Sequence, residues 1–165
     1  MGAQPMLDLS SQRIAVLFGG PGSEREVSVK TAESVGQALD SLGAEVLPVD
    51  VRGPDFECPA DVLIAMNLIH GTFGEDGQIQ AILERRGIRY TGAGVESSRV
   101  AFDKALSKEK FLAAGVPTPR SQIWPLDGGV PLEIQPPLVS KPPREGSSVG
   151  VKIVRDASEW AAAVE

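Results

Sequence analysis

The chain has 165 residues, 42% apolar and 23% charged, with 16 basic against 22 acidic side chains and a formal net charge of -6. That length suits one domain, or one domain with part of another, and folding would bury roughly 70% of the extended-chain surface. The composition argues against a disordered chain, and the acidic balance argues against a general nucleic-acid binder, which is normally basic. The charge is uneven. Residues 1–98 hold 7 basic and 14 acidic side chains, net -7, and residues 99–165 hold 9 and 8, net +1, so an anion site is expected to draw on the second half. Cys58 is the only cysteine, which leaves no internal disulfide and fits a reducing compartment. Apolar runs such as Val62–Met66 fall far short of the ~20 residues of a membrane span. No basic stretch followed by an apolar one opens the chain. The expected location is the cytoplasm, with no membrane and no nucleic-acid partner.

Taken in order, residues 1–12 are polar and aperiodic and read as a leader. Arg13–Phe18 is a short apolar run ending at Gly19-Gly20 and reads as a buried strand. Ser23 precedes Glu26 by three residues, the spacing of a capping box, so a helix is expected from there. Its buried stripe would be Ala32, Val35, Leu39 and Leu42, with Gly43 as its stop. Ala44–Val49 and Asp61–Met66 read as further strands, Gly77–Arg86 as a helix with Ile79, Ile82 and Leu83 inward, and Ile88–Tyr90 as a short strand. The order strand, helix, strand, strand, helix, strand predicts an open, mostly parallel, Rossmann-like α/β sheet over residues 13–96.

Ser97–Gly115 reads as helical, in one or two pieces, and Val116-Pro-Thr-Pro119 ends it, so residues 97–119 form a helical connector. Arg120–Trp124, Leu138–Lys141 and Val149–Val154 read as short strands, and Asp156–Val164 as an amphipathic helix capped by Asp156. Residues 120–165 therefore look like the opening of a second, α+β domain rather than a whole one.

Four segments carry candidate chemistry. Gly19-Gly-Pro-Gly-Ser-Glu-Arg-Glu-Val-Ser28 is a glycine-rich turn from a strand into a helix, where free N–H groups and the helix dipole suit an anion. A dinucleotide fingerprint fits poorly, because its third glycine position is Arg25, although Asp50 would mimic the ribose-binding acid. Glu24 can take a substrate ammonium group or can simply complement the helix dipole. Asn67–Gly77 follows the third strand, where open α/β sheets place ligands. It carries Gly71, Gly74, Gly77 and the single histidine, His70. His70 reads either as a structural hydrogen-bonding residue or as a site residue. Glu75 and Asp76 lack metal-ligand spacing with it. Asp103-Lys104, with Lys108 and Lys110, is a basic stretch that is either a solvated helix face or an anion contact. Lys141-Pro-Pro-Arg-Glu-Gly-Ser-Ser-Val-Gly150 places a lysine before a small-residue loop. Such a loop suits phosphate but could equally be a hairpin turn with incidental serines.

Together with Tyr90-Thr-Gly-Ala-Gly94, these segments, in this order and spacing, resemble the D-alanine–D-alanine ligases of the ATP-grasp superfamily over about residues 13–165. The resemblance implies a pre-ATP-grasp N-terminal α/β substrate-binding domain followed by the start of an ATP-grasp central domain. It also implies activation of one D-alanine as an acyl phosphate, which a second D-alanine attacks to give a peptidoglycan precursor. By the same resemblance Glu24 holds the first D-alanine's ammonium group, His70 lies beside its carboxylate, and Ser147 hydrogen-bonds toward Glu24. Glu24, Ser147 and His70 are thus the catalytic candidates, and Ser28 joins them in binding substrate. Lys104 and Lys141 would contact ATP phosphates, and Ser148, Val149 and Gly150 would lie over the transferred phosphate. No metal ligand is assigned within the chain. The Mg2+ ligands, with the intermediate-binding arginine and much of the adenine pocket, are expected beyond residue 165, so the chain alone is expected not to make the dipeptide. A homodimer through the N-terminal domain is a further expectation. The competing readings are a D-alanine–D-lactate or D-alanine–D-serine ligase, a non-enzymatic α/β ligand-binding module, and a nicotinamide-dependent oxidoreductase, which Arg25 disfavours.

Overall fold

A computed structural model describes residues 8–125 and 132–164; residues 1–7 of the expected leader and 126–131 and 165 of the second domain lie outside that range. Strand β1, Arg13–Gly19, carries apolar side chains at successive positions. Because neighbours on a strand point to opposite faces, Ala15 and Leu17 enter one core cluster and Ile14 and Val16 another. All four are out of water, each of the larger ones contributing about 1.5–3 kcal/mol. A strand buried on both sides is the centre of its sheet. β2, Glu45–Val51, and β3, Ile64–Asn67, pair with it in parallel, in the order β2-β1-β3. The register runs from Arg13↔Glu45 to Gly19↔Val51 on one side and from Ile14↔Ile64 to Leu17↔Asn67 on the other.

Helix α1, Arg25–Ser41, covers one face through Ala32 and Leu39, with Val35 alongside. Helix α2, Gln78–Arg85, covers the other through Ile79, Ile82 and Leu83, which pack with Phe56 and Phe73. The result is helix, sheet, helix, as the order of elements implies. The segment leading into β1 is tied down: Leu9 packs on the α1 side, and the Ser11 N–H donates to the Gly43 carbonyl at 3.0 Å.

Several local expectations change. The capping box of Ser23 and Glu26 is not formed; α1 starts one residue later, with Glu24 at the N-cap and no side-chain cap bond. The turn from β1 consumes the extra residue. Leu42 does not join the buried stripe. It sits past the helix end and is 60% exposed, because the chain leaves the helix through Gly43 at φ 83. Ile88–Tyr90 contributes one parallel bridge, Ala65↔Tyr90, rather than a strand. Arg120–Trp124 forms no strand; it runs as coil after Pro117 and Pro119, held at its start by the Lys108 ammonium, which donates to Thr118 Oγ1 at 3.1 Å and to the Pro119 carbonyl.

The chain divides between Arg99 and Val100 into two compact units. The division falls within α3, Val95–Phe102, which is followed by α4, Lys104–Ala113. In the second unit β4, Leu138–Ser140, and β5, Lys152–Val154, pair antiparallel. A single 3-10 turn, Ala157–Glu159, leads into α5, Trp160–Val164. Asp156, expected to cap one helix through Val164, instead caps this 3-10 turn, through the Ser158 N–H at 2.9 Å. Trp124 and Trp160 meet edge to face, with ring centres 5.0 Å apart. Among the described residues no helix is long and apolar enough to cross a membrane.

Two side chains join α1 and the far end of the sheet to their neighbours. Ser28 is fully buried; its Oγ accepts from the Gly19 N–H at 2.9 Å and donates to the Leu68 carbonyl at 2.6 Å. Tyr90 donates to Glu84 Oε1 at 2.7 Å. Replacing Ser28 with alanine removes both partners and strands a buried N–H, so urea unfolding is expected to show a loss of about 1–3 kcal/mol. The Tyr90 phenol is pushed up to about 12, first by burial and then by the hydrogen bond to Glu84. Its contribution to stability is complete below the ordinary value of about 10 and is lost as pH climbs from there through about 12. Tyr90 is the only tyrosine, so ultraviolet titration reads it alone: the native chain should ionise well above the urea-unfolded one.

Candidate functional site

The first unit gathers its candidate residues at the carboxyl ends of β1 and β3. Glu24, Ser28 and Thr31 lie on one face of α1's first turns, because side chains three and four apart on a helix are neighbours. Ser28 faces the sheet. Thr31 donates to the Val27 carbonyl at 2.9 Å, and its Oγ1 lies 3.4 Å from His70 Nε2. The His70 Nδ1 is 3.8 Å from Glu75 Oε1. The imidazole is thus held between α1 and its own loop.

Glu24 reaches the same loop. A methyl group built on Gly71 would stand 2.7 Å from Glu24 Oε2, and Gly71 itself has φ 67. Only a residue without a side chain lets the carboxylate lie so close. The glycine turn is in ordinary contact with the same loop: a methyl on Gly22 would lie 3.8 Å from the Thr72 carbonyl oxygen and 4.0 Å from that of His70. The two loops therefore lie against each other beside Glu24 and His70, with Ser28 buried beneath.

Two side-chain amides, Gln80 buried and Asn67 half-buried, hold the His70 loop. The Gly74 carbonyl accepts from Asn67 Nδ2 and from Gln80 Nε2, both at 2.8 Å. Asp76 accepts from the Phe73 and Gln78 N–H groups at 3.0 and 3.1 Å, so it organises the turn into α2. Phe73 is buried at φ 77, a left-handed conformation that a non-glycine residue keeps only when its surroundings enforce it. Nothing in the spacing of the chain singles out Asn67 or Gln80, because their polar groups act on backbone. Only Thr31, three residues after Ser28, has a helical spacing that could have flagged it.

Arg25 and Asp50 are used elsewhere. The Arg25 guanidinium donates to both oxygens of Asp50, at 2.7 and 2.8 Å, over Gly19. Burial raises the Asp50 carboxyl, but hydrogen bonds from Arg25 and Arg52 outweigh it and hold Asp50 below its usual range. The acid that would have bound a ribose is thus engaged with the arginine that replaces the fingerprint glycine.

The second unit holds the other candidates. Lys141 is exposed just after β4. Ser147 and Ser148 have φ 50 and 63, Gly150 has φ 67, and the Val149 N–H donates to the Gly146 carbonyl at 2.9 Å. Tight turns of small residues are a form of backbone that can present N–H groups to an anion. A side chain at Gly150 would meet Pro142 Cγ at 2.7 Å. The Lys104 ammonium donates to the Glu145 carbonyl at 2.6 Å. Among the described residues no group of three or more His, Cys, Asp or Glu side chains could hold a metal ion.

No protein-family profile matches the chain, but individual relatives do. The chain is 48% identical over 154 residues to the D-alanine–D-alanine ligase of Methylacidiphilum infernorum, covering 93% of this chain and 50% of that one. It is 42% identical over 167 residues to the ligase of Caulobacter vibrioides, covering 96% and 50%. Among solved structures, the D-alanine–D-alanine ligase of Bacillus anthracis aligns with a TM-score of 0.79 at 33% identity, covering 92% of this chain and 52% of that one. The chain spans about half the length of the curated relatives it matches. Sequence and fold agree that the chain belongs to the family of the D-alanine–D-alanine ligases and corresponds to the amino-terminal part of its members.

Proposed function

We propose that the chain supplies the amino-acid crevice and the phosphate loop of an ATP-dependent ligase that joins two D-alanines for peptidoglycan synthesis. The observation that carries this reading is the Glu24 carboxylate lying against Gly71, the residue next to His70 in the same loop. An anionic acceptor beside an imidazole matches the two ends of a zwitterionic amino acid: the ammonium group toward Glu24, the carboxylate toward His70 and the N-terminus of α1. Ser28 fixes the floor of that crevice.

ATP suits the second unit's donor set. Lys141 offers an exposed cation at a strand end, and the Ser147–Gly150 segment offers N–H groups and hydroxyls. Lys104 would share the phosphate charge and hold the loop. Bound ATP would supply a γ-phosphoryl group to the D-alanine carboxylate, giving an acyl phosphate and ADP. Attack by the amine of a second D-alanine would then release phosphate and leave the dipeptide. In this reading the chain's own part is to orient the first carboxylate, to offset developing phosphate charge, and to keep water from a hydrolysable intermediate with Ser147 and its neighbours. Mg2+ would accompany the ATP in this reading, and none of the chain's described residues is assigned as its ligand. Pairing of two chains through the unit ending at Arg99 belongs to the same proposal.

Two substitutions test it. Glu24→Gln should weaken D-alanine binding about tenfold or more, followed by NMR titration, because a charge-assisted contact is worth about 1.5–3 kcal/mol. A non-hydrolysable ATP analogue should bind as before. Equal losses for both ligands would overturn the role of Glu24. Lys141→Ala should do the reverse, lowering affinity for the analogue and sparing D-alanine, as isothermal titration calorimetry would show.

A further inference from the structure

The loop from Lys141 to Gly150 is fastened to the start of α4 by contacts that neither phosphate nor amino-acid binding requires. Asp103 sits between α3 and α4 and is buried. Its Oδ1 accepts from the N–H groups of Ala105 and Leu106 at 2.9 and 3.2 Å, capping α4. Its Oδ2 accepts from Arg144 Nε at 2.9 Å. The two oxygens of one carboxylate thus have separate tasks. Lys104 adds three more ties: its backbone N–H donates to the Pro143 carbonyl at 3.0 Å, and its ammonium donates to the same carbonyl at 3.4 Å and to the Glu145 carbonyl at 2.6 Å. Three consecutive loop residues are thus bound to the N-cap and first residue of α4.

Directly after this fastened stretch the backbone becomes costly. Ser147 and Ser148 are both left-handed, between Gly146 and Val149, which are joined by a hydrogen bond. Serine adopts that conformation only where its surroundings impose it. The Arg144 side chain is otherwise largely exposed and has no catalytic assignment. Its guanidinium, the largest influence on Asp103, holds that carboxyl below its usual range.

We infer that Arg144 is a positioning residue: with Asp103 and Lys104 it forms a clasp that fixes the entry of the Gly146–Gly150 loop and so presets the left-handed serine pair. The clasp itself is a property of the second unit. Its consequence for ligand binding rests on the proposed phosphate role of the loop.

The test uses the whole chain and four variants. Asp103→Asn keeps a capping oxygen, since asparagine caps as well as aspartate, but removes the charge that holds Arg144. Arg144→Gln removes the other partner. In the parent chain the backbone N–H groups of Gly146–Gly150 should show NMR order parameters near those of rigid backbone, about 0.85, and in either variant they should fall below about 0.6, while α4 keeps its own. The double variant should be no looser than the singles, because both remove one interaction, and Arg144→Lys should restore part of the order. A parent loop already below about 0.6, an unchanged loop in Arg144→Gln, or additive effects in the double variant would overturn the clasp. A non-hydrolysable ATP analogue separates this from the functional reading. Loosening with an approximately fivefold weaker analogue supports both, whereas loosening with unchanged affinity supports the clasp and removes the phosphate role.

Discussion

The Ser28 hydroxyl accepts from Gly19 and donates to Leu68, locking the second turn of α1 onto the ends of β1 and β3. Parallel strands end in backbone groups that their neighbours cannot satisfy, and where those ends are buried a side chain must take over. Here one hydroxyl serves both ends. The placement of the crevice follows from helical geometry. Glu24 lies four residues before Ser28 and Thr31 three after it, so once Ser28 faces the sheet, the other two flank the same side of the helix. That brings Glu24 to Gly71 and Thr31 to His70.

The loop that carries His70 is held by side chains from both elements it joins. Gly74 has a carbonyl that receives two side-chain amides, from a strand end and from a helix. A side chain on Gly74 would collide with the Ile69 backbone. Together these fix a loop with three glycines and one left-handed phenylalanine in a single shape. A loop that would be floppy by composition is instead braced from both elements it connects.

The second unit uses charge where the first uses burial. Its hairpin leaves Val139 and Ile153, a cross-strand pair, exposed at 50% and 60%. Apolar packing therefore contributes less to the order of its loop, and the ties to α4 are correspondingly important. The clasp of Arg144, Asp103 and Lys104 joins positions 41 apart in the chain. The slight basic excess of residues 99–165 is partly taken up by these internal contacts rather than left wholly for a ligand.

The strands, the helices and the motif residues were legible in the chain itself, because period-two and period-3.6 burial leave a direct imprint on apolar spacing: Ile14 to Leu17 specify a strand buried on both sides, and Ile79, Ile82 and Leu83 one face of a helix. The resemblance carried by Glu24, His70 and the Lys141–Gly150 stretch, and the family it indicates, were likewise present in one dimension. Tertiary structure decided what depends on partners distant in sequence. It moved the start of α1 past the capping-box signal, left Leu42 in solvent, reduced Ile88–Tyr90 to one bridge and denied Arg120–Trp124 a strand. It also assigned work to Asn67, Gln80, Thr31 and Arg144. Each of these acts by a hydrogen bond or close polar approach to an atom that local spacing does not identify, and such contacts are fixed only when the chain has folded back on itself.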